Sequence, residues 1–355
     1  MENVGTLFKQ RRAGRLTPQK MVHTGYLESG RTFPLVLRPA LAGLNLAAWV
    51  NANRGEVERQ LLEHGAVLFR GFDVTSPTQF EQFMQAACGG ALDYSERSSP
   101  RSRVSGNIFT STDYPPNLSI FLHNEQSYNC KFPLRIVFFC LTRSPQGGET
   151  PIADTRKVFA RIPKVIKESF LEKGYMYVRN FGDGFGLPWQ TAFQTTQRSA
   201  VEDYCRRNDI QFQWKDDGRL RTSQVRRVAA VHPRSGDTAW FNHLTFFHVS
   251  TLEPNIRDAL LEQFGEEHLP NQTFYGDGTS IESWVMDELR DAYLKEKVIF
   301  PWEQGDILML DNMLSSHGRE PYTEPRRVLV GMAESFSWES IGEVRLAAGA
   351  SEDLR

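Results

Sequence analysis

The stretch Ser119-Ile120-Phe121-Leu122-His123-Asn124-Glu125-Gln126-Ser127-Tyr128 decides how the rest of the chain is read. Ile120 to Leu122 is a short apolar run of the kind that fills a buried strand. It delivers a histidine and a glutamate two positions apart. Side chains alternate along an extended chain, so His123 and Glu125 point to one side and Asn124 to the other. An imidazole and a carboxylate converging from a strand end supply two of the three protein ligands of the 2-His-1-carboxylate site of non-haem Fe(II) oxygenases. A further histidine and an anchor for a co-substrate must then come from elsewhere.

The neighbouring segments read as a β core. Arg135-Ile136-Val137-Phe138-Phe139-Cys140-Leu141 is apolar after its first residue, as expected of a central strand covered on both faces. Residues 66–72, 305–312 and 326–332 read similarly, and 228–231 and 238–241 form two strands around a Pro-Arg-Ser-Gly turn. Helical spacing marks 44–64 as one helix ended by Gly65. Ser76-Pro77-Thr78-Gln79 starts a second, with Ser as cap and Pro in the first turn, and Gly89-Gly90 ends it. After a Gly-Gly turn at 147–148, Asp154 or Thr155 caps another. Pro163 opens one that stops at Gly174, and 253–267 is helical.

Residues 1–40 read as an irregular arm with short extended pieces. The polar block 182–226 holds a hairpin, Ile210–Trp214 and Leu220–Val225, around Lys215-Asp216-Asp217-Gly218. This block is either a surface excursion or a lid. As a lid it would use Gly182, Gly184 and Gly186 as hinges and lay Phe185, Trp189 and Phe193 over a ligand. No repeat or linker divides the chain. The expectation is one domain, 1–355, mainly β with flanking helices around a double-sheet core.

Composition narrows the function classes. The 355 residues suffice for a sizeable core, and 40% hydrophobic with 24% charged residues is ordinary for a globular protein. Lys plus Arg number 41 against 43 Asp plus Glu, so no global charge attracts nucleic acid or an anionic membrane. Met1–Arg15 is polar and basic without an apolar core, so no secretory signal is expected, and no run approaches the roughly 20 apolar residues of a membrane span. Cys88, Cys130, Cys140 and Cys205 show no C-x-x-C spacing. They read as small buried hydrophobes in a reducing cytoplasm.

The histidines are 23, 64, 123, 232, 243, 248, 268 and 317. His64 sits at a helix end and His23 and His268 in polar loops. His317 follows a buried strand, in Leu310-Asp311-Asn312-Met313-Leu314-Ser315-Ser316-His317-Gly318-Arg319. His243 and His248, near the aromatic Trp240-Phe241, are rival third ligands that spacing does not exclude. Beyond His317, Arg326 and Arg327 open a strand, and a guanidinium there suits a bidentate hold on a carboxylate. Adjacent strand residues face opposite ways, so one of the two enters the site.

These motifs identify a resemblance. His-Asn-Glu-Gln-Ser-Tyr at 123–128, Gly-Gly-Glu-Thr-Pro at 147–151 and Asp-Asn-Met-Leu…His-Gly-Arg…Pro-Arg-Arg at 311–327 resemble the taurine catabolism dioxygenase-like (TauD/TfdA) branch of the Fe(II)/2-oxoglutarate oxygenases. The nearest likeness is to the syringomycin-biosynthesis aspartyl-hydroxylase-like group of nonribosomal peptide pathways. It spans most of the chain, more loosely in 1–60 and 182–226. It implies a double-stranded β-helix (jelly roll) with His123, Glu125 and His317 as iron ligands. It also implies that Thr150 and Arg326 or Arg327, with Arg326 preferred, hold the distal carboxylate of 2-oxoglutarate. Glu125 stands where many members have Asp, and it fills the position that halogenating relatives leave open.

The implied reaction uses Fe(II), 2-oxoglutarate and O2 to hydroxylate an unactivated C–H bond of an amino acid, free or tethered to a peptidyl-carrier protein. Arg206, Arg207 and Arg226 are candidates for meeting such a carrier. Desaturation or epoxidation would use the same ligands. The alternatives are a catabolic dioxygenase acting on a small acid such as a sulfonate, a zinc hydrolase with Glu149 or Asp311 as general acid or base, and a jelly-roll binding protein without chemistry.

Overall fold

The computed structural model describes residues 21–93, 101–182 and 186–344. Half of the arm at 1–40, up to residue 20, lies outside them, as do Gly184 and Phe185 of the polar block. Among the described residues no helix is long and apolar enough to cross a membrane.

The apolar run after Arg135 becomes the strand Lys131–Thr142, near the middle of an eight-stranded sheet. The order across that sheet is Val22–Tyr26, Leu35–Pro39, Ala66–Phe69, Ile307–Asp311, Lys131–Thr142, Arg327–Ser337, Ile108–Thr110 and Arg103–Ser105. Alternation decides what each face does. Val137 and Phe139 join Val67, Phe69 and Met309 against Trp49, Leu61, Phe80 and Met84 of the helices outside. Ile136 and Phe138 join Leu68, Leu308 and Val330 on the opposite face, against Ile152. Each buried side chain of this size contributes roughly 1.5–3 kcal/mol. Strands burying both faces are therefore apolar nearly throughout.

Ile152 belongs to a second, three-stranded sheet of Ile120–His123, Ser315–Arg319 and Ile152–Asp154. Two side sheets complete the β structure. One holds Gln211–Trp214, Leu220–Arg226, Tyr175–Phe181 and Asn271–Tyr275, and the other Ala229–Val231 and Thr238–Trp240.

The helix signals operate as read, with two differences. Ser76 accepts from the Gln79 N–H ahead of helix Pro77–Cys88, Asp154 caps Thr155–Arg161, and Gly65 and Gly89 end their helices with positive φ. The single helix expected over 44–64 is instead two, Leu46–Ala52 and Arg54–His64. Asn53 breaks it by turning its own amide back onto the Trp49 carbonyl, the local competition that keeps Asn out of helix interiors. The longest helix, Ser283–Glu296, was not anticipated, although Val285, Met286, Leu289, Ala292 and Tyr293 recur at helical spacing and are buried.

The polar block forms the expected hairpin, Gln211–Trp214 with Leu220–Arg226. It also has its own small core, in which Trp189 packs with Val201, Cys205 and Ile210, and Phe193 lies against it. Arg226 is not an outer residue. Its buried guanidinium donates to the carbonyls of Tyr128 and Asn208. Arg206 is exposed but paired with Glu202 and Asp203.

An ion network on the large sheet is buried at its centre, Arg135, Asp311 and His232. Arg135 donates to Asp311 and to Glu58, Arg234 joins Glu58 to Glu334, and His232 sits 3.1 Å from Asp311. The other Asp311 oxygen accepts from the N–H groups of Met313 and Leu314, shaping the turn that leads to His317. Burial would raise the Asp311 carboxyl, but Arg135 and His232 outweigh it and hold it at about 2. An unfolded Asp titrates near ~3.9. The folded value is the lower one, so the stabilisation is complete above about pH 4 and fades as pH falls through about 2. Asp311→Asn is expected to cost roughly 3–5 kcal/mol at neutral pH and to flatten the acid limb of stability. Denaturant midpoints between pH 7 and pH 3 measure both; an acid limb as steep as that of the unaltered protein contradicts this role.

Candidate metal centre

The second sheet places two histidines side by side. His123 ends its strand directly opposite His317, and their ring centroids are 4.5 Å apart. Gly318 permits this pairing, because a Cβ there would lie 2.5 Å from the Ile120 carbonyl oxygen. Phe138 of the large sheet packs against His317 at 5.1 Å between centroids, so the pair sits between the sheets.

Glu125 joins them for a reason that alternation only half explains. It lies in a turn beyond the strand end. Its backbone is held from both sides by one side chain, with Asn312 Oδ1 accepting the Glu125 N–H and Nδ2 donating to the Glu125 carbonyl, both at 2.9 Å. Asn124 does point away from the site, as expected, and donates to the carbonyls of Asn312 and Ser315. The two asparagines therefore clasp the segments carrying Glu125 and His317.

One ligand atom each from His123, Glu125 and His317 lie within 4.8 Å of one another, and all three side chains are buried. Donors about 2.1 Å from a common ion sit roughly 3–4 Å apart, so the three need close by no more than about an ångström or two to hold a single divalent metal. The protonation states fit as well. Burial lowers the pKa of His123, and burial with the neighbouring His123 lowers that of His317 well below the ordinary value, so both rings are neutral, as metal ligands must be. His123 Nδ1 lies 2.8 Å from the Phe121 carbonyl, which can only accept, so the hydrogen is on Nδ1 and the lone pair on Nε2.

The rival histidines have other partners. His243 neighbours His123 at 4.8 Å, but its Nδ1 engages Ser127 Oγ, its ring packs against Tyr128 and Phe247, and it does not line the cavity. His248 lines the cavity, where burial lowers it to about 4, and its Nδ1 accepts from the Ser250 N–H. Neither belongs to the three-residue cluster.

His123, Glu125 and His317 line a cavity of about 490 Å³. Thr150 and Arg326 line it too, whereas Arg327 is exposed on the outer side. Arg326 Nε donates to the Gly148 carbonyl at 2.8 Å and Nη1 to Ser111 Oγ at 3.3 Å. A Cβ at Gly148 would meet the Arg326 side chain at 2.7 Å, which accounts for the second glycine of the Gly-Gly turn. Burial, reinforced by the Arg319 charge, pushes the Arg326 pKa down to about 10, so the guanidinium is poised for an anion. Thr150 Oγ1 accepts from the Trp302 indole.

Arg319, which also lines the cavity, was not singled out in the sequence, although it stands two strand positions after His317 and hence on the same face. Asn312 stood inside the motif at 311–327 but without an assigned role, and Arg101 carried no local signal. The block 182–226 lends the cavity Gly186 and Leu187, while Trp189 and Phe193 do not line it. Glu149 and Asp311, the acid–base candidates of a hydrolase, do not line it either.

A profile of the taurine catabolism dioxygenase TauD, TfdA family matches residues 31–333. The chain belongs to that family. Dapdiamide synthesis protein DdaC of Enterobacter agglomerans is 38% identical over 309 residues, covering 84% of this chain and 94% of DdaC. A clavaminate synthase-like protein of Arabidopsis thaliana is 27% identical over 323 residues, covering 86% and 94%. Among solved structures, PvcB of Pseudomonas aeruginosa aligns with a TM-score of 0.52 at 16% identity, over 97% of this chain and 98% of PvcB. A further PvcB structure, described as an Fe, alpha-ketoglutarate dependent oxygenase, gives 0.53 at 15% identity, over 95% and 98%.

The fold is therefore the double-stranded β-helix, or jelly roll, of this family. The protein is an Fe(II)/2-oxoglutarate-dependent dioxygenase, with O2 as the second co-substrate.

Replacing Asn312 by Ala removes both partners of the Glu125 backbone and a donor to Pro133. Stranding such buried groups costs roughly 1–3 kcal/mol each. Asn312→Ala is expected to lower stability by about 2–4 kcal/mol and to weaken divalent-metal binding with His123, Glu125 and His317 all present. Chemical denaturation and a metal titration read the two effects; unaltered metal affinity would show that the clasp does not position Glu125.

Proposed function

We propose that this dioxygenase hydroxylates an unactivated C–H bond of an amino acid, free or on a carrier protein, in the biosynthesis of a secondary metabolite. In this reading His123, Glu125 and His317 are the iron ligands, and Arg326 with Thr150 grips the distal carboxylate of 2-oxoglutarate. The observation that carries it is the convergence of two neutral imidazoles and one carboxylate in a cavity that also holds the half-buried guanidinium of Arg326. A hydrolase would need no such guanidinium. The biosynthetic assignment draws on the 38% identity to a dapdiamide synthesis protein.

Each residue has a definite task. Glu125, His123 through Nε2, and His317 would supply three protein ligands to the metal, the set that leaves room for co-substrates beside them. Bound iron, with 2-oxoglutarate and O2, supplies the oxidising power for the C–H bond. Arg326 and the Thr150 hydroxyl fix the co-substrate's far end, which orients its chelating end. Phe246 and Phe247 give the cavity an apolar wall, and Arg179, Asn180 and Asn271 give it a polar one. That mixture suits an aliphatic substrate with a polar backbone. Gly186 and Leu187 let the block 182–226 close one side against water.

Anaerobic addition of Fe(II) and 2-oxoglutarate is expected to produce a weak visible charge-transfer band that needs a higher Fe(II) concentration to form in Glu125→Ala. Succinate release with free against carrier-loaded amino acids then identifies the substrate form. A band that forms at the same Fe(II) concentration in Glu125→Ala as in the unaltered protein removes the ligand assignment. For the co-substrate, Arg326→Ala is expected to raise the KM for 2-oxoglutarate by an amount matching roughly 2–5 kcal/mol, with Arg327→Ala near the unaltered value. The reverse pattern would transfer the role to Arg327.

A further inference from the structure

Arg101 touches the proposed metal centre from outside the three recognised motifs. Its Nη2 donates to Glu125 Oε2 at 2.6 Å, with the two side chains only 6% and 2% exposed. The same Oε2 lies 3.8 Å from Nε2 of His317, so the ion pair is formed inside the donor set itself. The Arg101 charge reaches the rings around it. Behind burial, it is among the causes that hold His123, His243 and His317 below their ordinary values.

A buried carboxylate needs a cation, and Arg101 supplies one to Glu125. We infer that Arg101 is a built-in counter-ion of Glu125 that opposes binding of a divalent metal alone and thereby couples it to binding of the 2-oxoglutarate dianion. The inference rests on Glu125 being a metal ligand. Arg101 and Glu125 cancel each other and the imidazoles are neutral. A divalent ion entering this site adds two uncompensated positive charges beside a guanidinium, in a low-dielectric cavity that Arg319 and Arg326 also line. The dianion removes that excess. By linkage, the metal must then tighten the dianion by the same factor. A guanidinium that merely supported the Glu125 rotamer would do the opposite, since removing it would weaken the metal site. The sign of the effect therefore separates a counter-ion from a prop.

The test is Mn(II) binding, followed through the electron paramagnetic resonance signal of the free ion, with and without saturating 2-oxoglutarate. Arg101→Gln is expected to bind Mn(II) alone about tenfold more tightly than the unaltered protein, and 2-oxoglutarate should tighten it by a smaller factor. Arg101→Lys keeps the charge and is expected to stay near the unaltered protein in both measurements. Mn(II) binding that is weakened or unchanged in Arg101→Gln overturns the inference. So does an Arg101→Lys protein that binds Mn(II) alone as tightly as expected for the Gln variant, which keeps the question open to measurement if the Gln variant does not fold. Glu125→Ala in the same assay isolates the underlying reading. Mn(II) binding as tight in Glu125→Ala as in the unaltered protein removes the ligand assignment, whereas binding weakened there but indifferent to residue 101 removes only the counter-ion.

Discussion

The site depends on two hydrogen bonds from one side chain, those between Asn312 and the backbone N–H and carbonyl of Glu125. Glu125 stands past the end of its strand, where no ladder fixes its direction. Asn312 substitutes for the missing partner strand, and Asn124 returns the favour by donating to the Asn312 and Ser315 carbonyls. Segments 187 residues apart in the chain are thus locked at the scale of a metal–ligand bond. The rest of the fold serves this lock. Arg135 and His232 fix Asp311, Asp311 shapes the turn at Met313 and Leu314, and the turn delivers His317 opposite His123.

Burial gives the same residues their chemistry. Burial is the largest cause keeping His123 and His317 neutral, with the Arg101 charge acting in the same direction on both and His123 on His317. At Arg326 the same burial, with Arg319 alongside, makes a guanidinium that gains by meeting an anion. A cavity with metal donors at one place and buried arginines on its walls sorts ligands by charge before it sorts them by shape. Metal and dianionic co-substrate are complementary to it together more than either is alone.

Much of this was legible in the sequence because strong local signals coincided with the chemistry. The apolar run before His123, the Ser76-Pro77 helix start and the glycine at 65 all act as their residue types suggest. Arg326 lines the cavity and Arg327 faces out, as expected, although Arg326 stands just before the strand Arg327–Ser337 and is held by the Gly148 carbonyl and Ser111 rather than by a strand ladder. The failures have physical causes too. Asn53 split a helix through a side-chain bond that periodicity does not register. Arg226 looked like surface charge yet is buried against backbone carbonyls, a tertiary outcome with no local trace. Trp189 and Phe193 went into a core of their own because the block around them is large enough to have one. Arg101 and Asn312 act on a residue far along the chain, and only three-dimensional placement reveals them.

An anaerobic crystal structure with Fe(II) and 2-oxoglutarate tests the central claim most directly. The account predicts an iron anomalous peak bonded to His123, Glu125 and His317, with the distal carboxylate of the co-substrate on Arg326 and Thr150. Iron bound through His243 in place of His317, or a co-substrate lying away from Arg326, would contradict it.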